Sequence, residues 1–140
     1  MIVLDTNVVS DASQLAPSPV VLGWLDRQPA SSLFLPVPVI AELSAGAREF
    51  LRRTGSSRYT LPLEKLLTEY QNRILDFRMD AAILFGKIVA TRNAIGRPIT
   101  QMDAMIAAIC LVNDATLATR NVRDFDGLDL KLINPFEARA

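Results

Sequence analysis

The sequence contains no histidine and a single cysteine, Cys110. Without an imidazole there can be no Ser-His-Asp or Cys-His catalytic site, no nuclease with a histidine general base, and no zinc site of the usual nitrogen and sulfur type. One cysteine also excludes an intramolecular disulfide, so nothing indicates an oxidising compartment and we expect a cytoplasmic protein. Any chemistry must therefore rest on carboxylates, hydroxyls, amides, arginine and lysine.

Long hydrophobic runs are also missing. The longest nearly apolar run, residues 104–112, is much shorter than the roughly 20 residues that span a bilayer. The N-terminus has no basic segment in front of an apolar one, so we expect neither a secretory signal nor contact with a membrane. With 140 residues, 50% of them hydrophobic, the chain is expected to form a single domain over residues 1–140.

Short apolar runs alternate with segments of helical periodicity. The strand candidates are residues 2–4, 33–35, 115–119 and 128–133. Helical spacing predicts helices over residues 39–54, 63–77, 80–94 and 101–113. Because the strands are short, apolar on both faces and separated by helices, the pattern indicates a parallel sheet covered by helices.

The formal net charge of zero conceals an uneven distribution of charge. Residues 1–47 carry one base and four acids, residues 48–97 ten bases and five acids, and residues 98–140 four bases and six acids. The basic middle segment could attract a polyanion that an acidic pocket would repel, although a solvated helix face explains each single residue equally well. Its cations include Arg48, Arg52, Arg53, Arg58, Lys87, Arg92 and Arg97.

Three acids stand where an α/β fold presents functional side chains. Asp5 ends the first strand, at the edge where open parallel sheets form their sites, although a helix cap is an equally good explanation. Asp103 opens the most apolar helix, where Thr100 and Asp103 also match a capping box. Glu42 lies one turn into its helix among small residues, and a solvated helix face is its simpler explanation. The constellation is more informative than any one of its members.

If these three carboxylates converge, their chemistry selects the cofactor. Clustered carboxylates repel one another unless a cation lies among them, and an all-oxygen ligand set suits Mg²⁺ or Mn²⁺ rather than zinc. Such an ion lowers the pKa of a bound water and stabilises the charge of a displacement at phosphorus. A histidine base is then not needed.

Four segments of the chain resemble the PIN-domain family in their order and spacing. They are MIVLDTNVVSD, PVPVIAELSAG, ITQMDAMIAAI and LATRNVRDF. More narrowly, they resemble the VapC-type ribonuclease toxins of bacterial toxin–antitoxin pairs, including FitB and the plasmid-stability relatives. The resemblance covers essentially the whole chain and implies an α/β fold, a three-layer α/β/α sandwich with a short central parallel sheet.

The resemblance also implies roles for particular residues. In that family the acids that match Asp5, Glu42 and Asp103 ligate the catalytic Mg²⁺ or Mn²⁺, and the hydroxyl residue that matches Thr6 supports the first of them. Where many members place a fourth acid, this chain has Thr119-Arg120-Asn121, with Asp124 three residues on. Asn121 could orient a water or a neighbouring group, and Asp124 could act in its stead.

What the resemblance implies for function is an endoribonuclease toxin that cleaves RNA by metal-activated water. A cognate antitoxin would hold it inactive, with a C-terminal segment in the active-site groove, and the toxin would form a homodimer. The toxin would associate with DNA only indirectly, through the antitoxin. With nine aromatic residues in the chain, we expect backbone charge and strand shape, rather than base stacking, to dominate RNA binding.

Two other functions remain open on the sequence. A phosphatase could use Asp5 as its nucleophile, as haloacid-dehalogenase-like folds do, but the second acid of that motif is replaced here by Asn7. A non-catalytic PIN-like module could bind RNA or a regulatory protein without cleaving it, because the fourth acidic position is altered. RNA cleavage and metal titration distinguish these from the nuclease.

Overall fold

A computed structural model of the chain describes residues 1–137, so the last three residues of the predicted domain lie outside the described part. The strands are β1 (Ile2–Leu4), β2 (Leu33–Pro36), β3 (Ile74–Leu75), β4 (Thr116–Ala118) and β5 (Lys131–Ile133). The α-helices are α1 (Thr6–Ala12), α2 (Pro19–Asp26), α3 (Val37–Thr54), α4 (Thr60–Glu69), α5 (Met79–Ala94) and α6 (Gln101–Val112). Short 3-10 helices cover Ala30–Ser32, Val122–Phe125 and Pro135–Glu137.

The strands form one parallel sheet in the order β3-β2-β1-β4-β5, which confirms the predicted sheet. β1 lies at its centre, where Val3 pairs with Phe34 of β2 and with Leu117 of β4. The chain moves from β1 towards β3 on one side and adds β4 and β5 on the other, so the order reverses between β1 and β4. Open parallel sheets bind ligands at such a reversal, beyond the carboxyl ends of the strands.

The core is built from the sheet and α6. Val3, Leu35 and Leu117, from three neighbouring strands, are fully buried. In α6 every residue from Ile106 to Cys110 is also fully buried. The nearly continuous apolar sequence of this helix predicted that position, because a helix that is apolar all round has no face to turn to water.

The helix boundaries follow from local chemistry. Pro38 lies in the first turn of α3, where a missing backbone N–H costs nothing. Gly55 ends that helix with a φ of 74°, a left-handed conformation that favours glycine. Thr100 caps α6, since its hydroxyl oxygen accepts a hydrogen bond from the Asp103 N–H at 3.2 Å. These ends agree with the predicted ones.

The predicted helix over residues 63–77 is wrong at its C-terminal end. α4 stops at Glu69, and Ile74–Leu75 forms the edge strand β3. The Leu35 N–H donates to the Arg73 carbonyl oxygen at 2.9 Å, which ties this segment to β2. The apolar spacing of the segment fits a helix equally well, so pairing with a distant strand decided its conformation.

Arg92 is also placed differently from the prediction that the basic segment faces a polyanion. It is only 3% exposed, and its Nε donates to the Arg97 carbonyl oxygen at 2.7 Å. Its guanidinium also donates to the carbonyl oxygen of Asp124. Arg92 therefore fixes the 3-10 helix Val122–Phe125 against α5, and its donors bind main-chain carbonyl oxygens instead of facing open solvent.

None of the helices within residues 1–137 combines the length and the apolar composition needed to cross a membrane.

Candidate functional site

Asp5 lies at the carboxyl end of β1 and is 5% exposed. Its Oδ1 accepts a hydrogen bond from the Thr6 N–H at 2.8 Å, so Asp5 does cap α1. Its Oδ2 accepts from the Thr119 hydroxyl at 2.8 Å and from the Asn7 amide at 3.3 Å. Asp5 therefore caps α1 and also lies at the edge of the sheet where a functional site is expected, so the two interpretations are compatible.

The electrostatics of Asp5 reflect two opposing effects. Burial raises the pKa of its carboxyl above the ordinary value of 3.8, whereas hydrogen bonds from Thr119, Thr6 and Asn7 lower it. The negative charge of Asp124 adds to the rise. A buried carboxylate with three donors and a raised pKa keeps a fixed orientation and gains from a nearby cation.

Glu42 lies in the second turn of α3 and is exposed. Its Oε1 accepts a hydrogen bond from the Thr6 hydroxyl at 2.8 Å. Thr6 therefore joins two of the predicted ligands, because its N–H binds Asp5 and its hydroxyl binds Glu42. The sequence predicts that Thr6 supports Asp5; in the structure its main-chain N–H makes that contact, and its hydroxyl binds Glu42 instead.

Asp103 lies in the first turn of α6, at the end of the helix where backbone N–H groups favour negative charge. Its pKa is nevertheless raised to about 6, first by burial and next by the charge of Asp5, while Thr100 opposes the rise. Asp124 and Glu42 add smaller contributions of the same sign. The charges of four carboxylates thus act on one another at this edge of the sheet.

The structure distinguishes Asn121 from Asp124, the two alternatives for the fourth position. Asp124 lies in the 3-10 helix after β4 and shares a small cavity with Asp103. Asn121 contributes main-chain groups, since its N–H donates to the Thr119 hydroxyl oxygen at 3.1 Å and its carbonyl accepts from the Asp124 N–H at 3.0 Å. The charge of Asp124 raises the pKa of Asp5 and of Asp103, and the role of each residue at the fourth position stays a prediction.

Two residues of this cluster were not predicted to be part of it. Thr119 is fully buried and donates to Asp5, although it sits at the end of an apolar strand. Asn7 donates to Asp5 and to the Thr119 hydroxyl oxygen, each at 3.3 Å, and accepts from the Arg120 N–H at 3.1 Å. Neither stands out in the sequence, because threonine is common at strand ends and Asn7, two residues after Asp5, lies within α1. Together they join the carboxyl ends of β1 and β4.

The carboxylates fit a hard divalent cation by chemistry and charge, though not as a preformed cage. Their ligand atoms are all oxygens, which suits Mg²⁺ or Mn²⁺. Within residues 1–137, however, no three side chains of the His, Cys, Asp or Glu type are grouped closely enough to hold a metal as they stand. Mutual repulsion disfavours closer approach without a cation. An ion would have to draw Asp103 and Glu42 towards Asp5.

A largely apolar groove with a volume of about 330 Å³ runs beside this cluster. Helices α1, α3 and α4 form its walls, and Thr6 and Glu42 lie at its end next to Asp5. Its apolar lining includes Val9, Leu43 and Leu63. A ligand that fills this groove would contact Glu42 and Thr6, the residue whose N–H binds Asp5.

Comparison with known sequences places this arrangement in a family. Residues 2–130 match the PIN domain. The plasmid stability protein StbB of Pseudomonas syringae pv. tomato is 40% identical over 99% of this chain and 100% of its own length. VapC ribonuclease Y4jK of Sinorhizobium fredii is 33% identical over 98% and 99%. Toxin FitB of Neisseria gonorrhoeae is 31% identical over 97% and 99%.

Solved structures give the same result for the fold. The crystal structure of FitAcB from Neisseria gonorrhoeae contains a chain that superposes with a TM-score of 0.89 at 29% identity, covering 99% of this chain and 100% of that one. A toxin-antitoxin complex from Klebsiella pneumoniae shares the fold, with a TM-score of 0.71 at 22% identity over 99% and 100%. The three-layer α/β/α sandwich predicted from the sequence is confirmed. This chain belongs to the PIN-domain family.

Proposed function

We propose that this protein is an endoribonuclease that depends on Mg²⁺ or Mn²⁺ and is the toxin of a type II toxin–antitoxin module. The observation that carries the proposal is the placement of Asp5, Glu42, Asp103 and Asp124 at one edge of the sheet, near enough for the other three charges to raise the pKa of Asp103. Relatives named a VapC ribonuclease and a toxin support the same assignment. The absence of histidine excludes a hydrolytic mechanism with a histidine base.

Asp5, Glu42 and Asp103 would hold the metal ion. When bound, a divalent cation supplies an acidified water and stabilises the negative charge that develops at phosphorus. The residues of the chain set the position of these ligands. Thr6 orients Asp5 through its N–H and Glu42 through its hydroxyl, so one residue links the two carboxylates.

Asp103 and Asp124 have different parts in this proposal. Asp103 has a pKa near 6, so part of the population carries a proton on its carboxyl in mildly acidic solution and must lose it to act as a ligand. Asp124 is exposed and faces the same cavity as Asp103. We assign it the supporting role of orienting a water at the site, with its helix held by Arg92.

Substitution of single carboxylates tests the proposal. Asp5→Asn and Asp103→Asn should each lower the rate of RNA cleavage in Mg²⁺ on the order of 10³-fold, because each removes a charged ligand. Asp26→Asn is the matched control, since it removes an exposed carboxylate from the end of α2. Cleavage that persists in excess EDTA, or in either site variant, would show that these acids are not the catalytic centre.

The spacing of the carboxylates favours a second candidate function, a PIN-like module that binds RNA or a protein without cleaving it. As described above, no three acids are grouped as a ready metal cage within the described residues. Calorimetric titration with Mn²⁺, combined with a cleavage assay on the same sample, separates the two candidates. Metal binding with RNA turnover supports the nuclease, whereas RNA binding without turnover supports the module.

We propose that the groove beside the site takes a segment of the antitoxin. Its apolar lining calls for apolar side chains, and Glu42 calls for a cation at the end next to Asp5, whereas Glu49 is already paired with Arg52. Leu63→Glu should release RNA cleavage from inhibition by the co-expressed antitoxin, because it places a charge in the groove. Leu61→Glu, on the exposed face of the same helix, should leave inhibition intact. Equal inhibition of both variants would place the antitoxin elsewhere.

We propose that the homodimer forms through α5. Met79 and Ile83 on this helix are 78% and 63% exposed, and the neighbouring Ala82 and Gly86 leave room for close approach of a second helix. Ile83→Glu should convert a dimer to a monomer in size-exclusion chromatography with light scattering. Leu15→Glu, at an even more exposed leucine, should not change the mass. A dimer that survives Ile83→Glu would exclude this face.

A further inference from the structure

Arg120 lies at the same edge of the sheet as the carboxylates. It follows Thr119 at the carboxyl end of β4, the strand next to β1. Its N–H donates to the Asn7 side-chain oxygen at 3.1 Å, and the Asn7 amide donates to Asp5. The main chain of Arg120 is therefore fixed to the candidate catalytic site by two successive hydrogen bonds.

The side chain of Arg120 is held as well. Its guanidinium carbon lies 3.7 Å from the centre of the Phe136 ring. Phe136 follows β5, the next strand of the sheet, and its N–H donates to the Asn134 side-chain oxygen at 3.0 Å. An aromatic ring below a guanidinium attracts the charge and restricts the side chain without using its N–H donors.

Arg120 nevertheless remains exposed, and among residues 1–137 it is paired with no acid. In the part of the chain that the structure describes, the ion pairs are Arg52–Glu49, Arg97–Asp126 and Lys131–Asp114. Arg73 and Arg92 donate to main-chain carbonyl oxygens. Arg120 thus presents N–H donors and a full charge to solvent one strand away from Asp5.

We propose that Arg120 binds a phosphate of the RNA backbone next to the one that is cleaved. The inference rests on the proposed ribonuclease function and names a residue that positions its substrate. An acidic site repels a polyanion, so a cation on the same edge is needed to hold the strand there. A guanidinium matches a phosphate with two parallel N–H donors, and its stacking on Phe136 reduces the freedom lost on binding.

The salt dependence of RNA binding tests this role. Binding of a single-stranded RNA oligonucleotide is measured by fluorescence anisotropy over a series of KCl concentrations, in an Asp103→Asn background so that cleavage does not interfere. Arg120→Gln should weaken binding about tenfold at low salt. It should also reduce the slope of log Kd against log [KCl] by about 0.7, the value for one phosphate contact on a single strand. Arg120→Lys should retain the slope and part of the affinity, and Phe136→Leu should weaken binding without changing the slope.

Lys131→Gln is the control at the opposite edge of the sheet, where Lys131, unlike Arg120, pairs with an acid, Asp114, at 2.8 Å. Lys131 begins β5, so it lies at the amino edge of the sheet, whereas Phe136 lies beyond the carboxyl end of that strand. The substitution removes the same charge and should leave both affinity and slope unchanged. Equal behaviour of Arg120→Gln and Lys131→Gln would overturn the proposal.

The cleavage assay separates this inference from the proposed function. In otherwise unmodified protein with Mg²⁺, Arg120→Gln should raise KM and leave kcat within about twofold, because the contact is made before and during the reaction. A fall in kcat with unchanged KM would refute a phosphate-binding role. Lost affinity for the antitoxin with unchanged RNA binding would refute it as well. If the unmodified protein cleaves no RNA, the proposed function fails, and the binding experiment still decides the role of Arg120.

Discussion

Asp103→Asn should stabilise the metal-free protein while it abolishes RNA cleavage. Burial and the charge of Asp5 raise the pKa of Asp103 from its ordinary value of 3.8 to about 6. The folded protein without a metal therefore favours the neutral form of this residue. An amide is neutral at every pH and retains hydrogen-bonding capacity towards Thr100, so the substitution removes the unfavourable charge and little else.

The magnitude follows from the same pKa. The difference between 3.8 and about 6, at about 1.4 kcal/mol per pKa unit, sets an upper limit of roughly 3 kcal/mol. Asp103 is partly exposed, and screening by solvent reduces the effect to roughly 1.5 kcal/mol. Loss of the favourable interaction with the start of α6 costs about 0.5 kcal/mol. A net gain of about 1 kcal/mol corresponds to a rise in Tm of about 3 °C.

The stabilisation by Asp103→Asn should depend on pH, and the raised pKa of Asp103 determines the direction of that dependence. Between about pH 4 and pH 6 the folded protein binds more protons at Asp103 than the unfolded chain does, so the unfavourable contribution of this residue grows as the pH rises. Below about pH 4 the aspartate is protonated in both states and the contribution vanishes. The Tm difference between Asp103→Asn and the unmodified protein should therefore be near zero at pH 3.5 and largest above pH 6.5.

Thermal unfolding followed by circular dichroism in EDTA measures this difference. Asp26→Asn, which changes an exposed carboxylate, should show no such pH-dependent gain. Saturating Mg²⁺ should raise the Tm of the unmodified protein more than that of Asp103→Asn, because a ligand stabilises the state that binds it. An Asn variant that is less stable than the unmodified protein in EDTA at pH 7 would refute the electrostatic reasoning.

Three further substitutions test the surroundings of the site. Thr119→Val should lower the free energy of unfolding in urea by about 1–2 kcal/mol and weaken Mn²⁺ binding in calorimetry, because Asp5 loses a buried donor. Arg92→Met should cost about 2–4 kcal/mol in the same urea experiment and reduce cleavage, since the carbonyl of Asp124 loses its partner. Gly55→Ala should cost about 1 kcal/mol and leave cleavage unchanged, because its φ of 74° strains any side chain.

The sequence predicts the central elements of the fold because their signals are local. Pro38 and Gly55 determine where α3 begins and ends. The apolar character of α6 determines its burial. β3 could not be predicted in the same way, because two apolar residues become an edge strand only through pairing with β2. A conformation that depends on a distant partner strand cannot be predicted from the periodicity of apolar residues alone.

The same distinction applies to the candidate site. Asp5, Glu42 and Asp103 are recognisable because each acid stands out from its apolar or small neighbours. Thr119 gave no such signal, since a threonine is common in strands and only the fold brings it to Asp5. The prediction for Arg92 was wrong because a cation in a basic segment is expected to face solvent. Only the structure shows that its guanidinium binds main-chain carbonyl oxygens.

The zero net charge of the chain also has a structural explanation. The three candidate ligands come from two acidic terminal segments, and parallel pairing of β1 with β2 and β4 brings them to one edge of the sheet. For the proposed function, such an edge would need two separate positive charges, a metal ion for the carboxylates and a cation for the RNA strand. If Arg120 supplies the second, loss of the metal should remove turnover and loss of Arg120 should remove affinity. The two charges then contribute to different steps of one reaction.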